Sequence, residues 1–174
     1  MNLEIWDIYD QQRNKTERQM RRGDAFGLED YHLVVHVCLF NDKGEMLIQQ
    51  RQTNRDHWPS MWDLTVGGSA IAGEDPQQAA EREVKEELGY EIDLTNQRPS
   101  LTINFDHGFD DIFIVKTNVD ICSLPIPTEE VQEVKWASKD TILTKIEEGS
   151  FLPYYHSLIH LLFDMKDHMG AHRL

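Results

Sequence analysis

The stretch from Gly68 to Tyr90, GSAIAGEDPQQAAEREVKEELGY, constrains the fold more tightly than any other in the chain. Pro76 suits the first turn of a helix, Glu74 and Asp75 precede it where the positive end of the helix dipole favours acids, and Gly89 supplies a C-terminal stop. Inside that helix Ala80, Val84 and Leu88 recur every four residues and form a stripe that must be buried. Glu83, Glu86 and Glu87 sit at i, i+3 and i+4, so they share about a quarter of the circumference, roughly 100° round from the apolar stripe. Such a helix has to lie on a sheet while presenting its acids to a cleft. Like charges at these spacings repel by roughly a few tenths of a kcal/mol per pair, a cost whose sign a divalent cation reverses.

The sheet is legible on both sides of this helix. Leu33 to Phe40, LVVHVCLF, is apolar on both faces except at His36, which predicts a central strand and makes a satisfied core histidine the default reading of His36. Asn41 to Gly44 is turn chemistry, so Glu45 to Gln50 is expected to return antiparallel. In RQTNRDHWPSMW, residues 51 to 62, Pro59 excludes a strand interior; a loop anchored by Trp58 and Trp62 is expected. Asp63 to Val66 can form a short strand leading into Gly67-Gly68, a pair that implies a tight turn or a close backbone approach. Leu101 to Phe105 and Ile112 to Val119 read as strands joined by the turn DHGFDD, which carries His107, Asp110 and Asp111; Val131 to Trp136 reads as one more. Pro153 is expected to open a last helix with Leu158, Leu161, Leu162 and Met165 on its apolar face, and the tail from Asp167 to fray. Ahead of all this, Leu3 to Tyr9 alternates like a strand, and the polar residues through Gly27 suggest a loop or short helix.

With strands on either side of the central helix, a second helix for the opposite face, and neither repeat nor low-complexity linker, the pattern predicts an α/β fold: an α/β/α sandwich with a mixed sheet. Its 174 residues suit one domain, 1–174, with residues 1–30 as an N-terminal extension packing on it. The formal net charge of -14 excludes a broad phosphate-neutralising surface, so no nucleic acid polymer is expected as partner. An anionic ligand would need a bridging metal ion or a few local cations; the tract Arg18 to Arg22, RQMRR, is the one concentrated basic patch and reads as a solvated helix face. No apolar run reaches the ~20 residues of a membrane span and MNLEIWDIYD is no signal peptide, so a cytoplasmic protein without membrane contact is expected. Cys38 and Cys122 lack metal-type spacing and are expected to be buried free thiols.

Written as a pattern, the opening stretch is Gly68, five residues, Glu74, seven residues, Arg82-Glu83-Val84, one residue, Glu86-Glu87, one residue, Gly89 and Tyr90. It resembles the Nudix box, GX5EX7REUXEEXGU, departing only at Tyr90, where an aliphatic residue is usual. The resemblance implies the Nudix sandwich and hydrolysis of a diphosphate linkage, in a nucleoside diphosphate derivative or related organic diphosphate, with Mg²⁺ or Mn²⁺. It further implies that Glu83, Glu86 and Glu87 bind the metal and face the cleft, that Arg82 orients them by ion pairing, and that Glu74 assists. Hard divalent ions do take carboxylate oxygens together with substrate phosphate oxygens.

Outside the box, EIWDIYD at residues 4–10, Tyr31-His32 and the segment Trp58-Pro59 to Trp62 are similar to the branch that contains isopentenyl diphosphate isomerase. That resemblance offers an isomerase-like prenyl diphosphate enzyme as an alternative. The isomerase uses a cysteine and a histidine of a TNSVCGH-type segment, whose aligned positions here are Gly67 and Ser69, so hydrolysis is the favoured reading. A non-catalytic diphosphate-binding module should show a broken box, and this one is intact. His32, at a metal-binding position of that branch, Arg51 at the presumed mouth, Gly67, Gly68 and Asp110 are candidate substrate contacts; Asp110, Asp111 or Glu130 is a candidate to position the attacking water. Trp58, Trp62 and Phe109 could stack a base, although core packing is the better expectation. The partner is thus a small diphosphate, with a homodimer open as the assembly.

Overall fold

A computed structural model of the chain describes residues 4 to 172. Leu3, where the first extended segment was expected to begin, and the end of the tail lie outside them. The strands are β1 (Ile5–Tyr9), β2 (Lys15–Arg21), β3 (His32–Phe40), β4 (Met46–Arg51), β5 (Trp62–Asp63), β6 (Val66–Ser69), β7 (Leu101–Phe105), β8 (Gly108–Lys116) and β9 (Val131–Ala137). The α-helices are α1 (Pro76–Leu88), α2 (Lys139–Glu147) and α3 (His156–Met165).

The β-branched run of β3 makes it the central strand. It pairs in parallel with β8 from His32↔Gly108 to Phe40↔Lys116 and antiparallel with β6 from Val34↔Ser69 to Val37↔Val66. The sheet runs β5-β4-β3-β8-β7, with β6 against β3 and β9 against β4. It is mixed, as expected. The hairpin from β3 into β4 pairs only at Phe40↔Met46; β4 then leaves β3 and pairs with β9. Along β3 the side chains alternate between two cores, as the pleat requires. Leu33, Val35, Val37 and Leu39 join Ala79, Ala80, Val84 and Leu88 of α1, whereas Cys38 and Phe40 join Ile142 of α2 and Ile159, Leu162 and Phe163 of α3. Helices therefore cover both faces of the sheet.

Five local expectations are corrected. Residues 15–21 form β2 in a hairpin with β1, not a loop or helix, and its RQMRR tract is locally neutralised by the Arg18–Asp30 and Arg22–Glu4 ion pairs. β2 is exposed almost throughout, so no apolar alternation advertised it. Asp110 and Asp111 lie within β8 instead of a turn, because the chain reverses earlier, at Asp106-His107. α3 starts at His156, three residues after Pro153, with Leu161 left partly exposed, and α2 precedes it. Trp62 is buried as an anchor beneath Lys135, whose ammonium sits 3.9 Å from its ring, but Trp58 is half exposed. Both cysteines are free as expected and Cys38 is buried, but Cys122, expected to be buried too, is exposed because it sits in the short turn that follows Asp120.

Candidate active site

β6 carries the Gly67-Gly68 pair as an extended strand against β3, not as a turn. The pair answers to close approach on both faces. A Cβ on Gly68 would collide with the Glu83 carboxylate, and one on Gly67 would fall 2.5 Å from Cδ2 and Nε2 of His36. Without side chains here, β6 is a bare ribbon with a carboxylate on one side and an imidazole on the other.

Beyond the ribbon, α1 is set by a capping box. Asp75 accepts from the Gln78 N–H, Gln78 accepts from the Asp75 N–H, Pro76 fills the first turn, and Gly89 ends the helix in the left-handed region at φ 64°. This fixes the phase of the carboxylate stripe. Arg82 is its hub: Nε donates to Glu74 Oε1 (2.7 Å), Nη1 to Glu83 Oε1 and Glu86 Oε2 (both 2.9 Å), and Nη2 to Glu74 Oε2 (3.0 Å) and the Ser69 carbonyl (3.1 Å). Glu74 also accepts from the Ile71 N–H, closing the loop onto the helix.

The glutamates differ in burial. Glu86 is exposed, whereas Glu87, expected to face the cleft, is buried, and among the described residues its carboxylate accepts a hydrogen bond only from Gln49, whose Nε2 donates at 2.6 Å. Burial pushes the Glu83 carboxyl up to about 7, against the lowering pull of Arg82. Burial likewise raises Glu87 well above the carboxylate range, reinforced by the charges of Glu83 and Glu130. Of these two enclosed acids Arg82 reaches only Glu83, and Glu87 has an amide in place of a cation, so the pair calls for more positive charge. Among the described residues no three acidic, imidazole or thiol groups already converge on one point. By chemistry the donors nevertheless fit a hard divalent cation, since all are carboxylate oxygens.

A family model described as the NUDIX domain matches residues 30–155. The chain belongs to the Nudix hydrolase superfamily. It is 42% identical over 170 residues to an uncharacterized Nudix hydrolase of Listeria innocua, covering 98% of this chain and 99% of that one. It is 30% identical over 152 residues to an isopentenyl-diphosphate delta-isomerase of Gibberella zeae, covering 71% of this chain and 58% of that one. Its fold is that of the crystal structure of DR0079 from Deinococcus radiodurans, at a TM-score of 0.73 and 22% identity over 91% of this chain and 97% of that one. The Nudix fold is therefore shown, with a mixed sheet and three helices.

The other expected contacts of this Nudix chain fall in three places. Arg51 caps β4, donating to Asp63 (3.3 Å) and the His57 carbonyl (3.2 Å). Asp110 meets His36 Nδ1 at 2.8 Å. His32 lies in an aromatic box, stacked on Trp6, tilted against Phe26 and edge-on to Phe105. Its Nδ1, the Trp6 Nε1 and the His107 Nδ1 are buried there without hydrogen-bond partners among the described residues. Asp111 is buried and taken by Arg13 and Thr102, away from any water-positioning role, while Glu130 pairs with Arg55 at 2.9 Å. Sequence reasoning missed three partners: Gln49 of Glu87, Tyr154 of Asp63, and the pairing of His36 with Asp110. The last had no local signal, because Asp110 was expected in a turn and the pairing of β3 with β8 joins distant parts of the chain.

Proposed function

We propose that this chain, as one domain over 1–174, is a metal-dependent pyrophosphohydrolase that cleaves the diphosphate linkage of a nucleoside diphosphate derivative or related organic diphosphate. The observation that carries the reading is the Arg82 hub, which gathers Glu74, Glu83 and Glu86 beside a buried Glu87 that has only an amide for company. Glu83, Glu86 and Glu87 would hold Mg²⁺ or Mn²⁺, Arg82 and Glu74 would orient them, and Arg51, whose Nη2 is uncommitted among the described residues, would face the anion. The chemistry such a cation would supply is neutralisation of the diphosphate charge and a more acidic water for attack on phosphorus. Gly68 lets Glu83 approach the β6 backbone, and burial of Glu87 keeps bulk water from its carboxylate.

An isomerase reading, suggested by the Gibberella zeae relative, has Gly67 and Ser69 where the isomerase segment carries its cysteine and histidine. The test is a Mg²⁺-supplemented hydrolysis screen across nucleoside diphosphates, dinucleotide and sugar conjugates, and prenyl diphosphates. Metal-dependent phosphate-ester products from at least one class are expected; conversion of isopentenyl to dimethylallyl diphosphate without hydrolysis would replace this reading with isomerisation.

A further inference from the structure

His36 does not behave as a core histidine. Its Nδ1 is tied to Asp110 from β8, the parallel neighbour of β3, so the sheet register itself sets the pair. Both side chains are largely enclosed, at 17% and 19% exposure. With Nδ1–H donating to Asp110, Nε2 has no hydrogen-bond partner among the described residues, and the ring lies against Gly67, where the missing Cβ makes its room. Tyr154, leading into α3, packs edge-on to the ring at 6.5 Å between centroids and donates its hydroxyl to Asp63, which also takes Arg51. The charged and titratable groups around His36 are thus Asp110 on β8, Asp63 on β5, Glu83 on α1 and Tyr154 before α3.

An enclosed ion pair gives a core little net stability, because desolvation offsets its attraction, and Val34 and Ile112 beside it show that apolar residues suit these strands. In a chain of net charge -14, an anionic substrate needs donors that are not already committed. Arg82 has none to offer: a guanidinium carries five N–H donors, and its five hydrogen bonds all go to Glu74, Glu83, Glu86 and Ser69. Arg55 is held by Glu130, and Arg51 keeps only its Nη2 uncommitted among the described residues. The Nε2 of His36 is open, one strand's thickness from Glu83. Burial pulls this imidazole toward neutrality, but the charge and hydrogen bond of Asp110, together with the charges of Asp63 and Glu83, outweigh it and raise its pKa above the ordinary histidine value.

We propose that the His36–Asp110 pair binds the substrate's diphosphate, with His36 Nε2–H donating to a non-bridging phosphoryl oxygen from the face of β6 opposite Glu83. This rests on the reading of the carboxylate cluster as a diphosphate site. The two glycines then have one purpose: they let the anion sit over a strand edge within reach of both faces.

The test uses the full chain with Mg²⁺ and methylene diphosphonate, a diphosphate that cannot be hydrolysed at its bridge, alongside kinetics on whichever substrate the screen identifies. His36→Ala is expected to weaken diphosphonate binding and raise KM by about tenfold to a hundredfold, the usual worth of a charged hydrogen bond, with kcat falling less. His36→Gln, which keeps an N–H near the Nε2 position, should recover part of the loss, and Asp110→Asn should fall between. In wild type the His36 ring NMR resonance shifts on adding the probe. Unchanged binding in both His36 variants, or a His36 resonance that the probe leaves unmoved, overturns the proposal even if the enzyme hydrolyses diphosphates. A protein that turns over nothing but binds the probe through His36 keeps this inference and overturns the hydrolase reading.

Discussion

Glu86 and Glu87 stand side by side in the chain and should answer mutation in opposite ways. Glu86 is exposed and held only by Arg82, so Glu86→Gln should leave unfolding free energy within about 0.5 kcal/mol while cutting turnover by orders of magnitude. Glu87 is buried with an amide partner, so Glu87→Gln should remove turnover and raise the melting temperature of the metal-free protein, by about 1 kcal/mol of stability. Differential scanning fluorimetry and single-turnover assays check both; a Glu87→Gln protein that melts lower would show its charge to be well compensated. His32 gives the pH prediction. Burial lowers it from 6.5 to about 4, so the folded state holds it neutral. Its stabilising effect is complete above pH 6.5, where the unfolded chain is neutral too, and is lost as pH falls toward 4, by up to about 3 kcal/mol. His32→Phe, which keeps a ring in the box, should flatten the fall in denaturation midpoint between those pH values.

At the scale of elements, β6 and α1 form a single device. Gly68→Ala should push Glu83 and its helix off the strand, costing about 1–3 kcal/mol in urea titration and nearly all turnover, whereas Ser69→Ala, whose carbonyl alone is used, should do neither. The helix, its caps and β3 were legible because local chemistry alone dictates them: Pro76, Gly89, a four-residue apolar stripe, and a β-branched run. α2 was not. Of its residues only Ile142 is fully buried, so its sequence carries a weak apolar stripe. β2 was missed for the same reason, since its partner supplies backbone bonds instead of a core. Within the site, the grouping of Glu83, Glu86 and Glu87 could be read from spacing and the parts of Arg82 and Glu74 came from the resemblance to the Nudix box, but the Gln49–Glu87 and His36–Asp110 contacts depend on tertiary packing across 38 and 74 residues, which no local pattern states.

Seen whole, the molecule is strapped at its N-terminal end. The β1–β2 hairpin joins the site loop through the Ala72 N–H to Ile5 and the Gly73 N–H to Asp7, and reaches the sheet through Arg13, which pairs with buried Asp111 and lies over Phe109. Arg13→Ala should therefore strand a buried carboxylate and cost about 2–3 kcal/mol, discounted because Arg13 is one-third exposed; Arg13→Ala combined with Asp111→Leu should recover much of it. A single variant with unchanged denaturation would detach the hairpin from the stability of the sheet. The bare ribbon of β6 also bears on what this chain can become. A cysteine installed at position 67 to approach isomerase chemistry would land on the His36 ring. The exchange at 36 would have to come first, so a first step toward isomerase chemistry would begin by giving up the phosphoryl donor proposed here, at the cost of substrate affinity before any thiol is in place.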